Sequence, residues 1–124
     1  MRVLIFGQVE FVILSNLLYI ETVNVLAVKA IREFAEMRPE AEIVLREWFN
    51  TLRKSQPQNY AQLHEIFNSV DAATTKTNLL VFIFDVGDNK YRIVTRIDFE
   101  SQMVFILYIF THTDYTRWNR ARRP

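Results

Sequence analysis

The chain contains no cysteine. Disulfide scaffolds, thiolate zinc sites and thiol nucleophiles are therefore excluded, and a reducing compartment suits it. Histidine is nearly as scarce: His64 and His112 are too few for a zinc site unless carboxylates complete it, so neither a metal nor another cofactor is indicated. The only glycines, Gly7 and Gly87, leave no phosphate-cradling loop. No paired histidines four residues apart and no glycosidase-like carboxylate pair stand out. Long apolar runs are missing too. In "MRVLIFGQVEFVILSNLLYIETV", Gln8, Glu10, Ser15 and Asn16 interrupt the roughly 18 positions a membrane helix needs, and no small-residue cleavage site follows. No membrane association is expected.

What is present is the composition of a globular domain. Half of the 124 residues are apolar and 23% are charged, enough for one core without disulfide or metal support. The net charge of +1 is unevenly spread: residues 1–85 hold eight Lys/Arg against ten Asp/Glu, whereas residues 86–124 hold seven against four. Much of that excess lies in "RWNRARRP", where Arg117, Arg120, Arg122 and Arg123 surround Trp118. This pattern suits a phosphate backbone or an acidic protein surface, and equally a frayed, solvated tail.

Periodicity predicts an α+β domain. A short β-prone run at Val23–Leu26 leads into a helix with Ala30, Ile31, Phe34 and Met37 at helical spacing. Pro39 resets the backbone in the first turn of a second helix, whose apolar stripe is Ala41, Val44, Leu45, Trp48, Phe49 and Leu52. Asn59 caps a short third helix carrying Tyr60, Leu63 and Phe67, and His64 beside that stripe is expected to be partly buried and satisfied. "DAATTKTN" reads as a loop. Three strands follow, "LLVFIFDV", "KYRIVTRIDF" and "MVFILYIF", joined by hairpin-length turns at Gly87–Asn89 and Glu100–Gln102. The expected architecture is an antiparallel meander with two or three N-terminal helices packed on one face.

In the middle strand Tyr91, Ile93, Ile97 and Phe99 supply an apolar face, which places Lys90, Arg92 and Arg96 together on the other. Like charges so aligned repel one another and want an anion, although a solvated face with Asp98 as counter-charge accounts for them as well. His112 and Tyr115 arrive where the last strand ends. Cations plus a group titrating near neutrality suit metal-independent RNA cleavage: a ribose 2′-OH attacks the adjacent phosphorus, cations stabilise the non-bridging oxygens, and an acid protonates the leaving 5′ oxygen. Lys90, Arg92 and Arg96 are the candidates for charge stabilisation and strand binding, His112 and Tyr115 for proton transfer. Arg117 and Arg120 are further candidates for RNA binding. For His112 the bland alternative is a hydrogen-bonded strand-end cap.

"FDVGDNKYRIVTRIDF" followed by "VFILYIFTHTDYTRW" resembles the C-terminal half of the HigB-type toxin family, and "NVLAVKAIREFAEMRPEAEIVLREWF" is similar to its N-terminal half. The likeness spans Val23 to Trp118. It implies a RelE-like fold and the toxin of a type II toxin–antitoxin pair, an mRNA endonuclease acting on translated message at the ribosome in the cytoplasm. It also implies silencing by a HigA-type helix-turn-helix antitoxin, through which alone operator DNA would be reached. The matching positions are Asn89, Lys90, Tyr91, Arg92, Thr111, His112 and Tyr115. Asp88 departs from a usual glycine, Asp114 from Glu, Thr116 from Asp, and Leu107 from a frequent Arg. Because family members begin near Val23, residues 1–22 are read as an N-terminal extension from a misplaced start, ahead of a single domain over residues 23–124. The alternative function is a non-catalytic RNA- or protein-binding module descended from such a toxin.

Overall fold

A computed structural model describes residues 1–5 and 16–124, with side chains given for residues 1–3 and from residue 27 onward. The elements run β1 (Arg2–Ile5), α1 (Asn16–Met37), a 3₁₀ turn (Pro39–Ala41), α2 (Glu42–Lys54), α3 (Tyr60–Ile66), β2 (Asp71–Thr74), β3 (Leu80–Val86), β4 (Tyr91–Asp98), β5 (Met103–Thr111) and α4 (His112–Arg120). The strands form one sheet in the order β1-β5-β4-β3-β2. Strands β2 to β5 make the antiparallel meander, and β1 adds to its edge parallel to β5. The fold is α+β, as the pattern of elements predicts.

The helix α2 forms as its stripe dictates. Pro39 opens the preceding turn, Glu40 and Glu42 sit near the positive end of the dipole, and Arg53 and Lys54 occupy the last turn. Leu45, Trp48, Phe49 and Leu52 are buried against the sheet, each of the three non-indole side chains worth about 2 kcal/mol by burial. From α1, Ala27, Ile31 and Ala35 join them, while Met37 is exposed. Asn59 caps α3 as predicted, its side-chain oxygen accepting from the Gln62 N–H at 2.9 Å. His64 differs from expectation: it is exposed, edge-on to the Tyr60 ring.

Three further differences concern the sheet and what covers it. Val23–Leu26 lies inside α1, and the N-terminal strand is instead Arg2–Ile5, with Val3 fully buried in the core. Two valines in a four-residue run are too weak a signal to end a helix that continues through it. The segment read as a loop contributes β2, an edge strand whose polar side chains obscure its extended backbone. The first half of the C-terminal "RWNRARRP", Arg117 to Arg120, closes the helix α4 rather than forming a frayed tail. Trp118 of α4 packs over Val81, Ile83 and Val94, covering the sheet face opposite α1 and α2. The end of the chain is tied down as well: Arg123 Nε donates to the Thr74 carbonyl at 3.0 Å, and the Lys76 N–H donates to the Arg123 carbonyl at 3.2 Å.

A bulge makes this second face possible. Val94 opposes Tyr108 but Thr95 opposes Ile106, so Leu107 has no partner across the ladder. The alternation of β5 therefore slips by one. Ile106 and Ile109 both serve the α1/α2 core, while Leu107 and Phe110 both serve the α4 cluster. Leu107, where a cation is frequent in the family it resembles, is thus part of an apolar layer under Trp118. Among the described residues no helix is long and apolar enough to cross a membrane.

Candidate active site

The turn between β3 and β4 is where the sequence places its chemistry, and its backbone is unusual. Gly87, Asp88 and Asn89 have φ of 68°, 52° and 70°, three successive left-handed residues. Glycine takes this conformation freely, and aspartate and asparagine tolerate it. Asp88 therefore satisfies the backbone requirement that a glycine would meet. A Cβ at Gly87 would also meet the Tyr91 ring at 3.2 Å, so this position has little room for a side chain. The Asn89 N–H donates to Asp85 Oδ1 at 3.1 Å and the Lys90 N–H to the Gly87 carbonyl at 3.2 Å, which closes the turn.

One backbone hydrogen bond joins this turn to the end of the last strand: the His112 N–H donates to the Lys90 carbonyl at 2.9 Å. There Thr111 caps α4, its Oγ1 accepting from the Asp114 N–H at 3.2 Å, so β5 passes directly into a helix with His112 as its first residue. The two segments together border an open hollow of about 560 Å³. Asn89, Lys90 and Tyr91 line it from the hairpin, Thr111, His112 and Asp114 from the strand end, and Arg38 and Glu40 from the segment between α1 and α2. Lys90 and His112 are exposed, and among the described residues Lys90 has no ion pair.

Tyr91 is buried and its hydroxyl donates to Glu40 Oε1 at 3.1 Å. Burial, then that hydrogen bond, raises the phenol pKa. The Glu40 carboxyl lies below its ordinary range, held there first by its backbone hydrogen bond, then by Tyr91 and the charges of Arg38 and Lys90. Arg38 and Glu40 escape the sequence reading because they belong to a helix break far from the hairpin in sequence. The signal that exists is the Arg-Pro step, which disfavours helical geometry at Arg38.

The remaining candidates lie elsewhere. Arg92 is on the α4 side of the sheet, its side chain 13% exposed, with Nη1 3.1 Å from Asp85 Oδ1. Its Nη2 donates to Asn89 Oδ1 at 3.0 Å and its guanidinium lies 5.2 Å from the Tyr115 ring centre. Arg92 thus reaches the hollow through Asn89. Tyr115 is half-buried in the α4 cluster, where burial raises its pKa against the lowering influence of Arg92. Arg96 lines a separate depression with Asp98, Phe99 and Phe105, about 20 Å along β4 from Lys90 at ordinary strand rise. Arg117 faces Asp114 at 3.7 Å on the exposed side of α4, and Arg120 follows one turn later, exposed. The three cations of "KYRIVTR" do not share one face: Lys90 belongs to the turn and opens on the hollow, and Arg92 is covered by α4.

An α+β meander flanked by helices, with Lys90 and His112 exposed at one end of its sheet, fits the RelE-like fold that the sequence resembles. Residues 41–118 match the family HigB_toxin, described as the RelE-like toxic component of a toxin-antitoxin system. The mRNA interferase toxin HigB of Escherichia coli (strain K12) is 30% identical over 95 residues, 77% of this chain and 89% of that protein. The mRNA interferases HigB of Escherichia coli O157:H7 and Shigella flexneri are similar to the same extent. The chain belongs to the HigB family of RelE-like toxins.

Proposed function

We propose that this chain is an mRNA endonuclease, the toxin of a type II pair, acting on message at the ribosome and needing no metal. The observation that carries the reading is the Lys90–His112 backbone bond, which sets an ammonium group and an imidazole on one open hollow. RNA supplies its own nucleophile. When the 2′-oxygen bonds to phosphorus its proton must leave, and when the bond to the 5′ oxygen breaks that oxygen must gain one, so a side chain able to accept and donate protons suffices. His112 fills this role in our proposal, and Lys90 stabilises the negative charge that grows on the non-bridging oxygens. Asn89 offers an amide to the strand, and Arg92 with Tyr115 braces the wall that Asn89 belongs to. Arg96, Arg117 and Arg120 extend the positive surface along which the rest of the message, or ribosomal RNA, can lie.

The same reading includes a HigA-type helix-turn-helix antitoxin, operator DNA reached only through it, and a cytoplasmic setting. Purified chain added to translating ribosomes in excess EDTA is expected to cut message and leave 2′,3′-cyclic phosphate ends. Intact message under those conditions, with cleavage restored by a divalent ion, would reject the metal-independent step. Message cut equally well without ribosomes would reject the ribosome requirement.

The alternative is a non-catalytic binding module. The carboxylates of Glu40 and Asp114 favour it, since both lie in the hollow where an anion is expected. Salt-sensitive RNA binding without cleavage, even on translating ribosomes, supports that reading. The division into an extension, residues 1–22, and a domain from residue 23 is tested by truncation. A chain starting at Val23 that keeps its thermal midpoint supports the division, and one that fails to fold without the Arg2–Ile5 strand opposes it.

A further inference from the structure

The hollow needs more than one cation to hold a polyanion against its own two carboxylates, and Arg92 is committed to Asp85 and Asn89. A second guanidinium is nevertheless present. The helix α1 ends at Met37 because Pro39 disfavours helical geometry at the residue before it, and Arg38 adopts φ −137° and ψ 76°. Its N–H still donates to the Phe34 carbonyl at 3.0 Å, and Arg38 lines the same hollow as Lys90 and His112.

Two features hold it there. Nη1 donates to the Met37 carbonyl at 3.3 Å, where the negative end of the α1 dipole favours a cation. The Tyr91–Glu40 hydrogen bond then ties the 3₁₀ turn, two residues after Arg38, to the residue beside Lys90. Arg38 and Lys90 thus border one opening, joined through neighbouring residues. A guanidinium has five N–H donors, and Arg38 engages one with a neutral carbonyl. Among the described residues it has no ion pair.

We propose that Arg38 is a phosphate-binding residue of the hollow, engaging the backbone of a single RNA strand together with Lys90. This deepens the RNA reading above and rests on it. The test uses the full chain and a fluorescein-labelled single-stranded RNA with 2′-O-methyl sugars, which cannot cleave itself. Affinity is measured by anisotropy across a salt series. Arg38→Ala is expected to lower affinity several-fold and to make the log–log salt slope shallower by about 0.7, the loss of one phosphate contact on a single strand. Arg38→Lys is expected to keep the slope. Arg32→Ala, which removes the same charge from the exposed surface of α1, is expected to leave it unchanged. The thermal midpoint of Arg38→Ala should match wild type, since the side chain is exposed.

If Arg38→Ala behaves like Arg32→Ala, the proposal is overturned, whether or not the wild type cuts message. Wild type that cuts translated message, with Arg38→Ala cutting equally, overturns it alone. Wild type that binds the probe but never cleaves, with a shallower slope for Arg38→Ala, supports the phosphate contact while the enzymatic reading fails. Wild type that neither binds nor cleaves overturns both.

Discussion

Lys90 and Arg92 stand two residues apart and meet opposite fates. On the Lys90 side the sheet end is open: the ammonium is unpaired among the described residues and shares its hollow with His112 and Arg38. On the Arg92 side α4 closes over the sheet, Asp85 neutralises the guanidinium, and the Tyr115 ring lies against it. The difference shows that a cation's role follows from what surrounds it. An exposed, unpaired charge is available to a ligand, whereas a covered one must be satisfied by its own protein.

The sharpest way to break this contrast is at the open side. His112→Ala is expected to lower cleavage of translated message by about 10²- to 10⁴-fold with no shift in thermal midpoint, the range for losing a proton-transfer group. Retention of full activity would remove the imidazole from the chemistry. On the closed side the largest effect belongs to Trp118→Ala, expected to cost about 3 kcal/mol in denaturant unfolding because it strips α4 from Val81, Ile83 and Val94. Arg92→Ala should come next, at about 1–2 kcal/mol, since it leaves the partly covered Asp85 carboxylate with only the Asn89 N–H and no counter-charge. Should Arg92→Ala instead abolish cleavage at an unchanged midpoint, the guanidinium would belong on the phosphate after all.

The two sides also share a pH signature at smaller scale. Tyr91 and Tyr115 both have raised pKa values, mainly through burial, so the unfolded chain loses these protons more readily than the folded one. Stability from this source is complete below the ordinary tyrosine value of about 10 and declines as pH rises through the folded values. Phenolate absorbance should therefore show these tyrosines ionising late, together with alkaline unfolding. The smallest expected change is a gain: Glu40→Gln keeps an acceptor for Tyr91 but removes a negative charge from the hollow. It should tighten binding of the 2′-O-methyl RNA about three- to fivefold, measured by anisotropy at low salt. Weaker binding would mean that no anion approaches this wall.

Much of this was legible in the residues themselves. The stripe of α2, the Asn59 cap, the three meander strands and the Gly87–Asn89 turn all rest on periodicity or turn chemistry that acts within a few residues. That Lys90 and His112 lie at one end of the sheet was legible too, because one precedes β4 and the other follows β5 in an antiparallel pair. Strand β2 was not, because a four-residue edge strand held by β3 needs no apolar alternation of its own. Nor was α4, whose nine residues are too polar for a convincing apolar stripe and depend on Trp118 alone for their deepest anchorage.

Residue order was enough to set the α+β class, the hairpin turn at Gly87–Asn89, and the presence of a lysine and a histidine at the ends of neighbouring strands. Local sterics and side-chain period act over short stretches of chain, and a reader can add them up. It took the folded chain to show that Arg92 pairs with Asp85, that Leu107 lies under a helix, and that Arg38 comes to the hollow from a helix break some fifty residues before Lys90. Charge pairing and burial depend on distances between segments remote in sequence, and those distances exist only once the sheet has registered and the helices have closed upon it.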